Sequence, residues 1–354
     1  MRRSCTLASG FLASLACLAT STLAADIRLS GAGATFPAPL YTKWVVEYQK
    51  ANPDIKIDYR SIGSGGGIKA ITDKTVAFGA SDAPLNEKEI AALGGKAAVV
   101  QFPATAGGVV PAYNVPQITE SLNLSGDLLA EIYMGSVNSW DDPRIAALNP
   151  GISLPKLAIT PAYRTDGSGT THVFTSYLAT QSPAYTKSVG VGKQVKWPVG
   201  QGGKGNEGVA AVVQQTPGAI GYVELNFATA NKMPFAAVQN AAGTFVKASP
   251  ASISLASTAA AAKLKGNLLA ANIWNQPGEG VYPIAALSYI IVYADLHNLA
   301  TPAEATALVG YLRWSLAEGQ DLAGQLDYAP LSEPVRAASL AALETLTFKG
   351  QPLR

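Results

Sequence analysis

The chain has 354 residues, 26 Lys plus Arg against 24 Asp plus Glu, a formal net charge of +2, 48% hydrophobic residues and only 14% charged ones. That balance excludes a disordered chain, which needs low hydrophobicity and high charge, and argues against nucleic-acid binding through bulk positive charge. The length suggests about two domains, large enough to bury a core without disulfides or metals.

In chain order, residues 1–24 read as a secretory signal peptide. Arg2 and Arg3 precede a short apolar stretch from Leu7 to Leu18, and Thr22-Leu23-Ala24 offers small residues at the −3 and −1 positions of a cleavage site. The stretch is too short for a membrane span of about 20 residues. Cleavage after Ala24 removes both arginines and both cysteines, Cys5 and Cys17, so the exported chain is formally neutral and has no thiol. The alternative, Cys17 as a lipid-anchored cysteine, lacks the expected Leu three positions upstream, where Ser14 stands.

A strand-like run, Ile27 to Ser30, then leads into Gly31-Ala32-Gly33-Ala34-Thr35-Phe36-Pro37. Leu40, Trp44 and Tyr48 at i, i+4, i+8 predict a helix that stops at Asn52-Pro53. Ile55 to Tyr59 alternates as a strand does and is followed by Gly63-Ser64-Gly65-Gly66-Gly67. A third strand, Thr75 to Gly79, runs into Ala80-Ser81-Asp82, and Asn86 with Glu89 forms a capping-box pattern. Leu157 to Thr160 predicts a strand ahead of Tyr163-Arg164-Thr165-Asp166-Gly167-Ser168-Gly169-Thr170-Thr171 and a helix. Asn206 is expected to cap the run through Val209, Val212 and Val213, and Ala219 to Val223 reads as a strand. Ile284 to Tyr293 is almost unbroken apolar sequence, expected as a buried parallel strand. Thr301-Pro302-Ala303-Glu304 starts a helix.

Strand–loop–helix repeats of this kind signal parallel α/β structure, whose ligands bind beyond the carboxyl ends of the strands. Two joints, near Gly107 and near Tyr282, suggest a discontinuous domain. The expected organisation is a signal peptide at 1–24, domain I from 25–106 plus 283–354, and domain II from 107–282.

Three loops combine Gly with Ser or Thr just before a helix. Glycine lets backbone N–H groups converge, hydroxyls add short donors, and the helix end adds partial positive charge, which together make an anion site. No phosphate-loop Gly-Lys-Ser/Thr, completed dinucleotide fingerprint or Gly-x-Ser-x-Gly elbow occurs. His172 and His297, the only histidines, are expected to be packing or surface residues, and a zinc site is disfavoured.

Gly31 to Pro39, Phe78 to Leu85, Asp166 to Thr170, Gly200 to Asn206 and Pro217 to Val223 together resemble the phosphate-binding proteins of bacterial high-affinity phosphate ABC importers. The resemblance runs from about Leu29 to the C-terminus and weakens between about Ala228 and Gly280. It implies a periplasmic-binding-protein fold of type II: two α/β domains joined by two crossover strands, with the ligand in the cleft between them. It also implies phosphate contacts from Thr35, Phe36 (through its backbone N–H), Ser64, Asp82, Arg164, Ser168, Gly169 and Thr170, with Asp166 pairing with Arg164. Gly65 departs from the family, which often carries Ser there, as does Ala77, where an acid is common. The implied function is capture of inorganic phosphate in the periplasm and delivery to permease subunits of the importer, by a monomer with no cofactor, metal or nucleic acid. A binding protein for another tetrahedral oxyanion, or a secreted phosphate-processing enzyme, is the alternative.

Asp82 is the odd member of that set. An ionised carboxylate only accepts hydrogen bonds; hydrogen phosphate has a proton to give and sulfate has none. Asp82 is therefore expected to admit phosphate and reject sulfate.

Overall fold

The computed structural model describes residues 26–118, 120–258, 261–266 and 268–353. The expected signal peptide, with Cys5 and Cys17, lies outside the described residues. Eight strands form the main sheet: β1 (Ile27–Gly33), β2 (Ile55–Ser61), β3 (Phe78–Ser81), β4 (Val99–Tyr113), β5 (Thr160–Arg164), β6 (Gln201–Gly203), β7 (Ala219–Glu224) and β8 (Ala285–Tyr293). Their order is β2-β1-β3-β8-β4-β7-β5-β6. Four helices bear on the site: α1 (Ala38–Ala51), α2 (Ser64–Thr72), α3 (Gly169–Gln181) and α4 (Gly205–Gln215).

The sheet has two parallel halves joined by an antiparallel centre. β1 runs parallel to β2 and β3; β5 runs parallel to β6 and β7. Between them, β4 is 15 residues long and buried throughout. Its first part, Val99–Gly108, pairs with β8, and its last, Val109–Tyr113, pairs with β7. One strand thus belongs to both halves. At the crossing, the Tyr282 hydroxyl donates to the Val109 carbonyl at 2.7 Å.

β8 corrects one expectation. It is a fully buried strand, but it runs antiparallel to both neighbours, β3 and β4. An unbroken apolar run reports burial on both faces and carries no information on direction. The third and fifth strands also start later than expected. β3 begins at Phe78, because pairing with β1 begins at Gly31↔Phe78. β5 begins at Thr160, so Arg164 is its last residue and not part of the following loop.

Aromatic pairs pack within each half, as parts of one continuous hydrophobic core. Trp44 and Tyr41 of α1 stack beneath the first half at 5.1 Å, and the Trp44 indole N–H donates to the Gly319 carbonyl at 2.6 Å. Phe174 of α3 stacks on Tyr222 of β7 at 4.5 Å beneath the second. Burying one such ring stabilises the fold by about 1.5–3 kcal/mol, which holds the helix ends against the strand ends where the site lies.

Candidate anion-binding site

The site is assembled where β1, β2, β3 and β5 end and α2, α3 and α4 begin. Thr35 and Phe36 lie in the loop after β1. Ser64 is the first residue of α2, and Asp82 follows β3. Ser168 is the N-cap of α3, where its hydroxyl accepts the Thr171 N–H; Gly169 and Thr170 are in the first turn. Thr35, Ser64, Asp82, Arg164, Ser168 and Thr170 are all buried. Phe36 is buried too. Its ring meets Tyr328 edge-on at 6.4 Å, and its carbonyl accepts the Tyr328 hydroxyl at 2.6 Å.

Contacts across the cleft bring the two halves together. Ser64 Oγ accepts the N–H of Gly169 at 3.0 Å and that of Asp82 at 3.2 Å. The Gly65 N–H donates to the Gly167 carbonyl at 2.8 Å. Lys193 pairs with Glu89 at 2.5 Å, and Glu89 also closes the capping box with Asn86 that the sequence suggested. At Gly65 an added Cβ would stand 3.2 Å from the Gly167 Cα, so the departure from serine suits this close approach.

Arg164 is held rigidly. Its Nε and Nη2 donate to the two oxygens of Asp166 at 2.8 and 2.5 Å, and Nη1 donates to Thr170 Oγ1 at 3.3 Å. Asp166 also accepts the Gly205 N–H at 3.0 Å. Burial pushes the Asp166 carboxyl up, but the Arg164 guanidinium and the Gly205 N–H outweigh it and hold it below the usual carboxylate range. The pair fixes the guanidinium plane while consuming half its fork.

Asp82 has the opposite character. Burial pushes its carboxyl up to about 7, against the pull of the Ser288 hydroxyl, the Arg164 charge and Ser64. Ser288 of β8 donates to Asp82 Oδ1 at 2.7 Å and is itself fully buried. Oδ2 is within 3.4 Å of Ser64 Oγ. The sequence analysis did not single out Ser288; its signal is the one serine in the apolar run Ile284 to Tyr293. Ser288→Ala is expected to leave Oδ1 without its donor, raise the Asp82 pKa further, and narrow discrimination between phosphate and sulfate about tenfold. Competition titration at pH 8 checks this; an unchanged ratio removes Ser288 from the site.

Asn206 was expected as a helix cap, but Lys204 holds that position and Asn206 is the second residue of α4. The helix thus starts two residues earlier than expected, at Gly205, whose φ of 73° only glycine adopts without strain. Asn206 instead reaches across to Thr35. His172 lies against Trp274, with ring centroids 6.1 Å apart, and burial with the nearby Lys193 charge pushes its pKa down to about 4. Among the described residues no group of three or more His, Cys, Asp or Glu side chains could hold a metal ion.

The arrangement can surround a tetrahedral anion with donors and meet it with one acceptor. Comparison with known proteins bears on which family uses it. A model described as a PBP superfamily domain matches residues 19–318. The phosphate-binding protein PstS of Pasteurella multocida (strain Pm70) is 44% identical over 310 residues, 87% of each chain. That of Haemophilus influenzae (strain ATCC 51907 / DSM 11121 / KW20 / Rd) is 43% identical over 321 residues, 90% of this chain and 93% of the other. The crystal structure of a phosphate binding protein from Stenotrophomonas maltophilia superposes with a TM-score of 0.69 at 20% identity, covering 89% of this chain and 93% of that one, and shares the fold. With identity of this extent along nearly the whole of both chains, the protein belongs to the PstS family of phosphate-binding proteins, within the PBP superfamily.

Proposed function

We infer that this protein captures inorganic phosphate in the periplasm and delivers it to the permease subunits of a phosphate ABC importer. The observation that carries the reading is the polarity of the buried site. Hydroxyls and N–H groups converge from both halves of the sheet, and Asp82 presents among them a carboxylate that, unlike Asp166, is not taken up by Arg164. The family relatives, named as phosphate-binding proteins, support the same ligand.

Thr35, Phe36, Ser64 and Asp82 hold the anion from domain I (25–106 plus 283–354). Arg164, Ser168, Gly169 and Thr170 close on it from domain II (107–282), with Asp166 fixing Arg164. Ser168 accepts one N–H and keeps its hydroxyl proton to donate; helix N-termini at α2 and α3 add partial positive charge. Closure bends the two crossings between the halves, at Gly107–Gly108 and near Tyr282. No bond in the ligand is made or broken in this scheme, and the protein works as a monomer.

Export through a cleaved signal peptide places it outside the cytoplasm; among the described residues no helix is long and apolar enough to cross a membrane. Isothermal titration of protein stripped of bound anion tests the reading. Phosphate is expected to bind tightly and sulfate weakly at pH 8. Absence of heat with phosphate, or equal affinity for sulfate, overturns it.

A further inference from the structure

We propose that Asn206 is a positioning residue that turns Thr35 and Thr170 into obligate hydrogen-bond donors toward the bound anion. The proposal rests on the phosphate reading and concerns how selectivity is imposed. A threonine hydroxyl has one proton to give and two lone pairs to fill. Left alone it rotates to suit any neighbour and does not distinguish an acceptor from a donor.

Here that freedom is removed. Thr35 Oγ1 accepts the Asn206 backbone N–H at 3.2 Å and its side-chain Nδ2 at 2.7 Å. Thr170 Oγ1 accepts Asn206 Nδ2 at 3.2 Å and Arg164 Nη1 at 3.3 Å. Each oxygen already has two donors, so each hydroxyl has only its proton left to offer. The amide itself cannot flip, because its Oδ1 accepts the Glu224 N–H at 2.9 Å. That bond obliges Nδ2 to face the two threonines. Asn206 and Thr170 are fully buried, Thr35 nearly so, and no solvent competes for these bonds.

One side chain thus sets the polarity of two hydroxyls that approach from opposite sides of the cleft. The bond to Thr35 also joins α4 of the second half to the loop after β1 in the first. A ligand must present bare oxygens to both threonines and a proton to Asp82. A fully protonated neutral isostere fails at the threonines, and sulfate fails at Asp82.

The test is isothermal titration with inorganic phosphate on the unaltered chain, Asn206→Ala, Thr35→Val and the double variant, with folding followed by circular dichroism. Asn206→Ala is expected to weaken binding about tenfold or more. In the Thr35→Val background the same change is expected to cost at least about threefold less, since one of its targets is gone. Asn206→Asp keeps the shape but offers oxygens to both hydroxyls, drawing their protons away from the ligand, and is expected to weaken binding more than 100-fold. It is read instead if Asn206→Ala does not fold. Equal losses in both backgrounds, or near-normal binding by Asn206→Asp, overturn the role of Asn206 while leaving the ligand intact. An unaltered chain that takes no phosphate overturns the ligand assignment and this proposal with it.

Discussion

Asp82→Asn is expected to raise sulfate affinity about 100-fold or more at pH 8 and to alter phosphate affinity far less. The free-energy argument starts from the carboxyl itself. A solvent-exposed aspartate titrates near 3.8, and enclosure in the site moves it up to about 7. The difference is about three units, each worth about 1.4 kcal/mol. To close on sulfate, the protein must either hold an ionised carboxylate against a fully ionised oxygen or first protonate Asp82. Hydrogen phosphate brings the missing proton with it and avoids both penalties.

The sign of the pH effect follows. Closing raises the Asp82 pKa, so the closed sulfate complex takes up a proton and gains stability as pH falls. Sulfate affinity of the unaltered chain is expected to change little above pH 7, to rise by up to tenfold per pH unit on going from about pH 7 toward 4, and phosphate affinity to change less. Asparagine has no such proton, and the slope should vanish in Asp82→Asn. Competition calorimetry at three pH values measures both effects. A sulfate affinity that stays flat with pH in the unaltered chain would exclude Asp82 as the selector.

Gly169→Ala is the second large effect. An added Cβ would stand 2.5 Å from Ser64 Oγ and 2.6 Å from both the Cβ and Oδ2 of Asp82. Neither neighbour is free to yield, since Ser64 is tied to Asp82 and Asp82 to Ser288. The methyl group therefore props the cleft apart at the point where α3 meets α2. Overpacking of this kind costs about 1–3 kcal/mol or more, and here it falls on closure. Phosphate affinity is expected to drop about 100-fold while the melting temperature of the ligand-free protein shifts by only a degree or two. A parallel fall in both would make the defect one of folding.

The loops that meet at the site were legible in the sequence because their signals are local, whereas the role of each residue in them was implied only by the resemblance to phosphate-binding proteins. Gly63-Ser64, Ser81-Asp82 and Ser168-Gly169-Thr170 each sit in one strand-to-helix connection, and turn residues, caps and small side chains mark such places directly. The capping residues Asn86 and Thr301 belong to the same class of short-range signal. Ser288 and Asn206 were not legible as site residues, since each acts on a partner far along the chain. Ser288 meets Asp82 across 206 positions and Asn206 meets Thr35 across 171. Nothing within either residue's own segment announces such a partner. The direction of β8 was hidden for a similar reason: a strand buried on both faces has no composition that tells parallel from antiparallel.

The place of β8 in the sheet has a consequence for the order in which the molecule can be made. Translation delivers β1, β2, β3 and β4 early, yet β3 and β4 are not neighbours; β8 lies between them and is among the last strands to be synthesised. The second half has its strands in hand once residue 224 emerges, whereas the first half keeps a gap at its centre until residue 293 arrives. Filling that gap requires contacts between distant parts of the chain, which form slowly. The nascent polypeptide therefore carries an unfinished sheet until it is nearly complete. For a chain whose first residues read as an export signal, that delay keeps it threadable for most of its synthesis.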